Sequence, residues 1–354
     1  MKIAVFGASG YTGKLAVAEA RRRGIDVVLV GRGAERLRAA ASEAGFQDAE
    51  TGVAEIRVAD AEDHDALVAA FRDTDAVVNC AGPFTRWGEG VVRAAIAAGS
   101  HYVDITGEQP YIRHIFDTFG ADAERAGVAV VPGVTDDGLP SDLITALTAA
   151  RVGGEAEEIA IAVDIVSGGA SRGTIRSMGA LRETLLDGGL GYEDGQLSPR
   201  ATARRKEIVL PGGSAPTPVV RFALPAVVTV PRHVRTRQVE GMASREVYEL
   251  FTRLSPEMAE QVPEGPTAAQ RKAMQWAFAV EVLGADGRHA RGEVRGFDAY
   301  GTTAVIAVEA ARRLAADGAP AGVLASAQAF DAAGFLDFLG DHGVSWSVGG
   351  GAEA

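Results

Sequence analysis

The stretch that decides the fold is GASGYTG at residues 7–13, with glycines at positions 7, 10 and 13. An apolar run at Lys2–Phe6 precedes it and a helical pattern begins at Lys14. The first glycine permits a tight turn, the second lets a pyrophosphate approach the backbone, and the third lets helix and strand pack closely. The free N–H groups at the start of such a helix face the anion. Although glycine spacing alone also fits an ordinary strand–helix turn, this context predicts a nucleotide-binding loop.

Short apolar runs alternate with helical patterns from this loop to about residue 135. Further strands are predicted at Asp26–Val30, Glu55–Ala59, Ala76–Asn79, His101–Ile105 and Val128–Val131. Near-continuous apolar strands that alternate with helices are typical of a parallel sheet covered on both faces. Six strands in this rhythm predict an α/β domain with a Rossmann-type, doubly wound parallel sheet over residues 1–150.

The pattern changes from about residue 159. Strands are predicted at Ile159–Val166, Arg221–Val230, Trp276–Leu283 and Glu293–Phe297. The last two flank a hairpin signal at Gly284–Gly287, so this second part of the chain is expected to be mainly antiparallel. Helical periodicity returns at Thr302–Ala316 and Phe330–His342.

Composition restricts the possible functions. A length of 354 residues predicts two domains. A net charge of −12 gives no electrostatic reason to bind nucleic acid or an anionic membrane. One cysteine, Cys80, can form neither an intramolecular disulfide nor a thiolate metal site, and no apolar stretch approaches ~18 residues. We therefore expect a soluble cytoplasmic protein with a small-molecule substrate and no bound metal.

The end of the second strand indicates which nicotinamide cofactor is used. An NAD-selective site usually has Asp or Glu there, but this chain has Gly31 and Arg32, and a guanidinium can bind a 2′-phosphate in a bidentate manner. NADP(H) is therefore favoured over NAD(H). Asp60, after the third strand, could accept from the adenine amino group or cap the next helix.

Acidic and small residues follow the fourth, fifth and sixth strands. Small residues at Ala81 and Gly82, with Pro83 after them, leave room for a nicotinamide. Tyr102 and Asp104 share one face of the fifth strand, and Glu108 lies beyond its end. Asp136, Asp137 and Asp142 follow the sixth strand. Such carboxylates could hold an amine or donate a proton, or they could be helix caps and solvated loop residues. Asp104, inside an apolar strand, could instead anchor the backbone of a neighbouring loop.

Two further observations narrow the chemistry. Cys80 is expected to pack as a small buried residue, because no neighbouring base is apparent. No Tyr is followed by Lys four residues later, so the proton donor of short-chain dehydrogenases is missing, and no His pair has metal-ligand spacing.

Together, GASGYTG, VVLVGR (27–32), VVNCAGPF (77–84), HYVDITGE (101–108) and VPGVTDDGLPSDL (131–143) resemble the saccharopine-dehydrogenase-like NADP-dependent oxidoreductases. That family includes saccharopine reductase and the trans-acting enoyl reductases of actinobacterial lipid assembly. The resemblance continues through SRGTIRSM (171–178), LDGGLGYEDGQL (186–197), GFDAYGTTA (296–304) and GVLASAQAF (322–330).

The resemblance implies an inserted α+β domain for substrate and dimerisation at 151–300, with a mainly antiparallel sheet, and helices at 301–354 that pack back on the first domain. It also implies NADP(H), hydride chemistry and a homodimer formed through the second domain. Carried over by position, the cofactor contacts fall on Gly7, Ser9, Gly10, Tyr11, Thr12, Gly13, Arg32, Ala81, Gly82 and Pro83. One departure concerns the sixth strand's loop, where Asp136 replaces an aromatic residue of the relatives and Gly138 a serine.

The leading hypothesis is an NADPH-dependent reductase that transfers hydride to a C=N bond of a small polar substrate. Asp104, Asp137 and Tyr102 are the catalytic candidates, and Phe84, Trp87, Glu108 and Arg172 are the candidates for binding substrate. Two alternatives stay open: a trans-acting enoyl reductase that reduces C=C in a carrier- or thioester-bound substrate, and a non-catalytic NADPH-binding sensor or scaffold protein.

Overall fold

A computed structural model describes residues 1–46, 54–166 and 169–350 of the chain. The first 152 residues alternate strand and helix. In chain order they form β1 (Lys2–Phe6), α1 (Tyr11–Arg22), β2 (Asp26–Gly31), α2 (Ala34–Glu43), β3 (Glu55–Val58), α3 (His64–Phe71), β4 (Ala76–Asn79), α4 (Phe84–Ala98), β5 (His101–Asp104), α5 (Gln109–Ala126), β6 (Ala129–Val131) and α6 (Leu139–Val152).

The rest of the chain mixes short helices with longer strands. It forms β7 (Ala156–Val166), α7 (Arg172–Ala180), α8 (Arg182–Leu186), β8 (Gly191–Glu193), β9 (Gln196–Ser198), β10 (Glu207–Val209), β11 (Pro216–Arg221), α9 (Ala226–Thr229), β12 (Gln238–Ser244), α10 (Arg245–Thr252), α11 (Ala268–Ala273), β13 (Gln275–Gly284), β14 (His289–Phe297), α12 (Ala299–Ala316), β15 (Gly322–Val323), α13 (Ser326–Ala329), α14 (Ala332–Gly340) and β16 (Ser345–Gly350). Short 3₁₀ helices lie at Val230–Arg232 and Pro256–Gln261.

The first sheet is parallel throughout, in the order β15-β6-β5-β4-β1-β2-β3. The strand order reverses between β1 and β4, and ligands of doubly wound sheets bind at such a reversal, beyond the carboxyl ends of the strands. Alternate residues of β1 enter two different cores, Ile3 and Val5 on one face and Ala4 and Phe6 on the other, so the sheet is buried on both faces.

The second sheet follows the order β10-β11-β12-β7-β13-β14-β16, with the β8–β9 hairpin attached to β12. β7 and β12 are parallel and the other pairs are antiparallel. Alternate residues of β7 (Ile159, Ile161, Val163) face the same hydrophobic core as Ile3 and Val5 of the first sheet. The predicted fold class, a Rossmann-type sheet with a second α+β domain, is therefore confirmed.

The C-terminal part contacts both sheets. α12 packs on α1, β4 and β5, whereas β15 extends the first sheet and β16 pairs with β14 of the second. Among the described residues, no helix combines the length and the apolar character needed to cross a membrane. The predicted domain limits at residues 150 and 300 stay predictions.

One predicted strand is wrong. The run Arg221–Val230 was expected to be extended, but β11 ends at Arg221 and α9 begins at Ala226. Pro225 has φ −49° and ψ −42°, and its carbonyl accepts from the Val228 N–H at 2.9 Å. Proline fixes φ at a helical value, so a buried apolar run with a central proline turns into a helix here.

Candidate functional site

The phosphate loop connects β1 to α1 and is shaped by close backbone approaches. Gly7 has φ +78°, and its carbonyl accepts from the Gly10 N–H at 2.9 Å. A Cβ on Gly13 would lie 2.2 Å from the Gly7 oxygen, so only glycine fits there. Gly10 is exposed, which leaves its backbone open to a ligand. The first N–H groups of α1 have no partner within the helix, so this loop fits a pyrophosphate.

Arg32 and Asp60 meet beyond the ends of β2 and β3. The Arg32 Nε lies 3.8 Å from Asp60 Oδ2, and Arg32 is mostly exposed. An exposed ion pair of this kind contributes little to stability, so the guanidinium is free to turn to a 2′-phosphate. Asp60 also accepts from the Glu62 N–H at 3.1 Å, as a residue that starts a turn does. Both roles considered for Asp60 stay open.

A segment of the second domain, residues 262–266, lies against the start of α1. The Tyr11 hydroxyl donates to the Pro266 carbonyl, and Lys14 Nζ pairs with Glu264 Oε2 at 2.9 Å. Arg172 supports this segment, because its Nε donates to the Val262 carbonyl at 2.9 Å. Arg172 does not line the cavity described below. The geometry gives this residue a structural contact, and the predicted substrate role stays a prediction.

Tyr11 is packed between the two domains. Its ring makes an edge-on contact with Tyr300, the centroids being 5.2 Å apart. Burial raises the pKa of Tyr11, so its hydroxyl keeps its proton. The side chain of Tyr11 therefore joins the phosphate loop to α12 and to the 262–266 segment, while its backbone remains at the start of α1.

The loop after β4 forms one wall of a cavity. Cys80 and Gly82 line it, and the Ala81 N–H donates to Asn79 Oδ1 at 2.9 Å. Burial, with a contribution from the Asp104 charge, raises the pKa of the Cys80 thiol to about 12. A thiol that stays protonated is a poor nucleophile, in line with the expected packing role. Pro83 precedes α4 at its N-cap position.

Glu108 caps helix α4 from a distance of 24 residues. Its two carboxylate oxygens accept from the Phe84 N–H at 2.8 Å and from the Thr85 N–H at 2.7 Å, and the residue is fully buried. It was predicted to bind substrate, but both oxygens serve the helix start that follows the nicotinamide loop. Phe84 lines the cavity. Trp87 lies outside the lining, where the Arg86 guanidinium stacks on its ring at 4.3 Å.

Asp104 is the centre of a buried hydrogen-bond network. Its Oδ1 accepts from the N–H groups of Gly133 at 2.8 Å and Thr106 at 3.2 Å, and its Oδ2 accepts from the hydroxyls of Tyr102 and Tyr111, both at 3.0 Å. Asn79 Nδ2 donates to the Tyr102 hydroxyl at 2.9 Å. The network ties together the ends of β4, β5 and β6, which carry the residues at the cavity.

Burial sets the protonation of this network. It raises the pKa of Asp104 to about 6, against the opposing effect of the Gly133 and Thr106 N–H groups, and it raises the pKa of both tyrosines well above their ordinary value. Neither Asp104 nor Tyr102, two of the three predicted catalytic residues, lines the cavity. Their contacts are those of residues that hold the site's loops in place.

The cavity has a volume of about 270 Å³ and lies between the two domains. It reaches Thr12 of the phosphate loop and Gly82 of the nicotinamide loop. Most of its wall is apolar and comes from the second domain: Val163, Ile165, Met178, Leu181, Leu185, Phe222, Leu224, Leu250, Phe251, Leu254, Met274 and Trp276. Among the described residues that line it, the charged ones are Asp136 and Asp137.

The polar end of the cavity carries this acidic pair and a cluster of hydroxyls. Thr303 Oγ1 donates to Asp136 Oδ1 at 2.8 Å and accepts from the Asp136 N–H at 3.0 Å. Thr135 Oγ1 donates to Asp137 Oδ1. Tyr300 accepts from the Ser171 N–H at 2.7 Å and lies 2.9 Å from Thr174 Oγ1. Burial, followed by the charge of Asp137, raises the pKa of Asp136 to about 8, and burial raises the pKa of Asp137 as well.

Of the residues predicted to act in catalysis or substrate binding, Asp137 and Phe84 line the cavity. Of the residues predicted to contact the cofactor, Thr12 and Gly82 line it. Sequence reasoning noticed Asp136 but did not select it, and it missed Tyr300 and Thr303 on α12. The sequence feature that could have indicated them is GFDAYGTTA at 296–304. It places the hydroxyl residues Tyr300, Thr302 and Thr303 on α12, which packs on the first sheet.

Asp142, the third acid of the same loop, faces elsewhere. Its Oδ1 lies 2.9 Å from His233 Nε2 and accepts from the Thr229 hydroxyl at 2.6 Å, and its Oδ2 accepts from the Ala327 N–H at 2.9 Å. These contacts outweigh the effect of burial, so the pKa of Asp142 is lowered, with His233 as the main cause. This carboxylate joins α6 to α9 and α13.

Comparison with known proteins identifies the first domain. Residues 3–131 match the family model described as the saccharopine dehydrogenase NADP binding domain. A Mycobacterium tuberculosis protein named "Putative trans-acting enoyl reductase" is 37% identical over 182 residues, which cover 50% of this chain and 43% of that protein. A Caenorhabditis elegans protein named "Lipid droplet localized protein" is 32% identical over 40% of this chain and 34% of its own length. The matches thus span less than half the length of these relatives.

A solved structure shares the whole fold. Saccharopine dehydrogenase (L-Glu forming) from Saccharomyces cerevisiae superposes with a TM-score of 0.60 over 98% of this chain and 99% of its own, at 14% identity. These findings confirm the predicted resemblance, the fold and NADP(H) as the cofactor. The first domain is thus similar to the NADP binding domain of saccharopine dehydrogenase.

Proposed function

We propose, from the premise that residues 3–131 form a saccharopine dehydrogenase NADP binding domain, that this chain is an NADPH-dependent reductase of an apolar substrate. The reduced bond in this proposal is a C=C bond conjugated to a carbonyl, as in an enoyl thioester. The observation that carries the proposal is the cavity, whose apolar wall continues to the loop at Cys80 and Gly82 where the nicotinamide is expected.

The charges of the cavity favour a substrate without several carboxylates. A substrate made of an amino acid and an oxo acid needs cations to bind its carboxylates, because buried charges must be paired. In the described part of the lining, the ionisable side chains include the acids Asp136 and Asp137 and no Lys, Arg or His. The small polar substrate of the leading hypothesis therefore has little support from this lining, while an acyl chain matches it.

The chain's own residues can position a conjugated carbonyl. Tyr300 and Thr174 line the polar end of the cavity, with their hydroxyl oxygens 2.9 Å apart. Hydroxyl hydrogens turn to suit the acceptor, so either group can donate to a substrate carbonyl oxygen. The bound cofactor would supply hydride, and the apolar wall would exclude water from the reacting carbon.

The name of one relative supports an enoyl thioester as the substrate. The protein from M. tuberculosis that matches half of this chain is named for enoyl reduction in trans. The net charge of −12 disfavours an acidic carrier protein as the partner. A free thioester is therefore the simpler substrate to propose. The predicted homodimer and cytoplasmic location stay predictions.

A second candidate is reduction of a C=N bond in an apolar cation. The acidic pair supports it, since a carboxylate in an apolar cavity stabilises a bound iminium. This version keeps the predicted C=N chemistry and changes the substrate from polar to apolar.

The test is to incubate the protein with NADPH and a substrate panel and to follow nicotinamide absorbance. The panel contains enoyl thioesters of increasing chain length, apolar cyclic imines, and pairs of a 2-oxo acid with an amino acid. We expect oxidation of NADPH with the enoyl thioesters, and a KM that falls as the chain lengthens. Oxidation with the imines alone supports the second candidate. Oxidation only with polar pairs contradicts both, and NADPH binding without oxidation supports the sensor or scaffold alternative.

A further inference from the structure

The loop after β6 brings two acidic side chains, Asp136 and Asp137, to the polar end of the cavity, and the two differ in their contacts. Asp137 accepts from the Thr135 hydroxyl, and Thr135 in turn accepts from the Gly138 N–H at 2.8 Å, so this acid belongs to a turn that starts α6. Asp136 contacts Thr303 of α12, through its N–H and through Oδ1. In the part of the chain that the structure describes, no other residue donates a hydrogen bond to Asp136 Oδ2.

The groups around Asp136 favour its neutral form. Asp137 lies beside it, and Asp298 at the start of α12 adds a second negative charge. The cation near Asp298 is Arg271, whose Nε lies 3.6 Å from Asp298 Oδ1. Cys80 also belongs to the described lining, and its thiol keeps its proton because burial raises its pKa to about 12. Two carboxylates side by side in apolar surroundings cannot both ionise without cost, so one proton is retained.

We propose that Asp136 is the proton donor of the reduction, with Asp137 as the anion that keeps this proton in place. The proposal rests on the proposed function and adds a catalytic residue to it.

The reduction of an enoyl thioester adds one hydride and one proton across its C=C bond. The β-carbon of the substrate gains a hydride as NADPH is oxidised to NADP⁺, and the π electrons of the C=C bond move to the carbonyl as an enolate. A C–H bond then forms at the α-carbon as the O–H bond of Asp136 breaks, which leaves Asp136 as a carboxylate. Repulsion by Asp137 makes this carboxylate basic, so it regains a proton from water before the next turnover.

Two variants and one control test the proposal. Asp136→Asn removes the proton donor, and Asp137→Asn removes the neighbouring charge. Asp26→Asn, at the exposed start of β2 and outside the cavity lining, is the matched control. NADPH affinity, measured by nicotinamide fluorescence, should be the same in the wild type and in every variant. Equal affinity would show that each variant is folded.

Infrared spectroscopy gives a readout that needs no substrate. At neutral pH the wild type should show the C=O stretch of a protonated carboxyl group, and this band should vanish in Asp136→Asn and persist in Asp26→Asn. In Asp137→Asn the band should disappear at a lower pH than in the wild type, because the like charge is gone. A wild type without this band at neutral pH overturns the proposal.

Turnover gives the second readout. We expect kcat of the wild type to fall above about pH 8, where the proton of Asp136 is lost. Below about pH 8, Asp136→Asn should lower kcat by roughly 100-fold or more, and Asp137→Asn should move the fall in kcat to lower pH. An active wild type whose Asp136→Asn variant keeps its kcat overturns the proton-donor role alone. A wild type that reduces no member of the panel overturns the proposed function, and the donor role with it.

Discussion

The phosphate loop and the cavity show two ways of building a site. The loop is seven consecutive residues, 7–13, that follow β1 and include the first turn of α1, and its shape depends on three glycines within it. The cavity takes its wall from the loops after β4 and β6 and from β7, α7, α8, α10 and α12, which are separated by up to about 200 residues in the chain. The loop is a local structure, whereas the cavity exists only when both domains have assembled.

The cavity can change its side chains more readily than the phosphate loop can. The loop's glycines are fixed by close backbone contacts, so a change there costs cofactor binding. The cavity's apolar side chains tolerate exchange among hydrophobic residues of similar volume, because no single one defines the wall. We therefore expect the cofactor to be the constant part of the function and the substrate the variable part.

The largest effect is expected at the buried Asp104 network, which holds the ends of β4, β5 and β6 beside the cavity. Asp104→Ala leaves two buried N–H groups and two tyrosine hydroxyls without their acceptor. We expect the free energy of unfolding to fall by about 4 kcal/mol, measured by urea denaturation. Asp104→Asn keeps an acceptor for the N–H groups and is the control. If Asp104 acts in structure, as its contacts indicate, the Asn variant retains turnover; a folded Asn variant without turnover would restore the catalytic role predicted from sequence.

The difference in unfolding free energy between the wild type and Asp104→Asn should depend on pH. Because burial raises the pKa of Asp104 to about 6, above the value of about 3.9 for an unfolded chain, the folded state binds the extra proton between these pH values. The unfolding free energy of the wild type, relative to Asp104→Asn, should therefore fall as the pH rises from about 4 to about 6. A difference that grows in that interval would contradict the assigned direction of the shift.

A smaller effect is expected for the cofactor region alone. Arg32→Ala removes the guanidinium proposed to bind the 2′-phosphate, so the Kd for NADPH should rise roughly tenfold, as expected for one charge-assisted hydrogen bond. The Kd for NADH should not change. Arg38→Ala, an exposed arginine on α2, is the matched control. Equal losses for both cofactors, or no loss at all, would show that Arg32 does not discriminate between them.

Most of the first domain was predictable because its signals are local. The glycine spacing and the apolar strands gave the loop, the sheet and the bounds of β1 and β4 to the residue. A contact of Asp104 with the backbone of a neighbouring loop was one of the alternatives open from the sequence, but the partners of Asp104 and Glu108 were not predictable. Those partners, at residues 133, 84 and 85, become neighbours only in the folded sheet. Both residues were correctly placed at the carboxyl ends of the strands, but a carboxylate there can support a loop as well as bind a substrate.

The polarity of the cavity was the least predictable feature. Acidic residues after β5 and β6 suggested a polar site, because nothing in their spacing tells which of them turn inward. Asp136 and Asp137 line the cavity, while Asp142 pairs with His233 on the other side of α6. The apolar wall comes from a domain whose short strands and helices gave weak periodic signals, as the wrong strand at Arg221–Val230 shows.

The smallest effect is expected at the mouth of the cavity. Leu250 on α10 lines the cavity and is 50% exposed, so a charge there should be tolerated by the fold. Leu250→Glu should raise the KM for a long-chain enoyl thioester roughly fivefold, because half of a leucine side chain contributes about 1 kcal/mol when a ligand covers it. The Kd for NADPH should stay the same.

Leu186 supplies the matched control for this prediction. It ends α8, is 44% exposed and does not line the cavity, so Leu186→Glu adds the same charge to a similar surface without touching the proposed substrate path. A rise in KM with Leu250→Glu alone, increasing with chain length, places the acyl chain along α10. Equal effects of the two variants would mean that surface charge acts on the substrate from a distance, and then the apolar wall would not be what selects it.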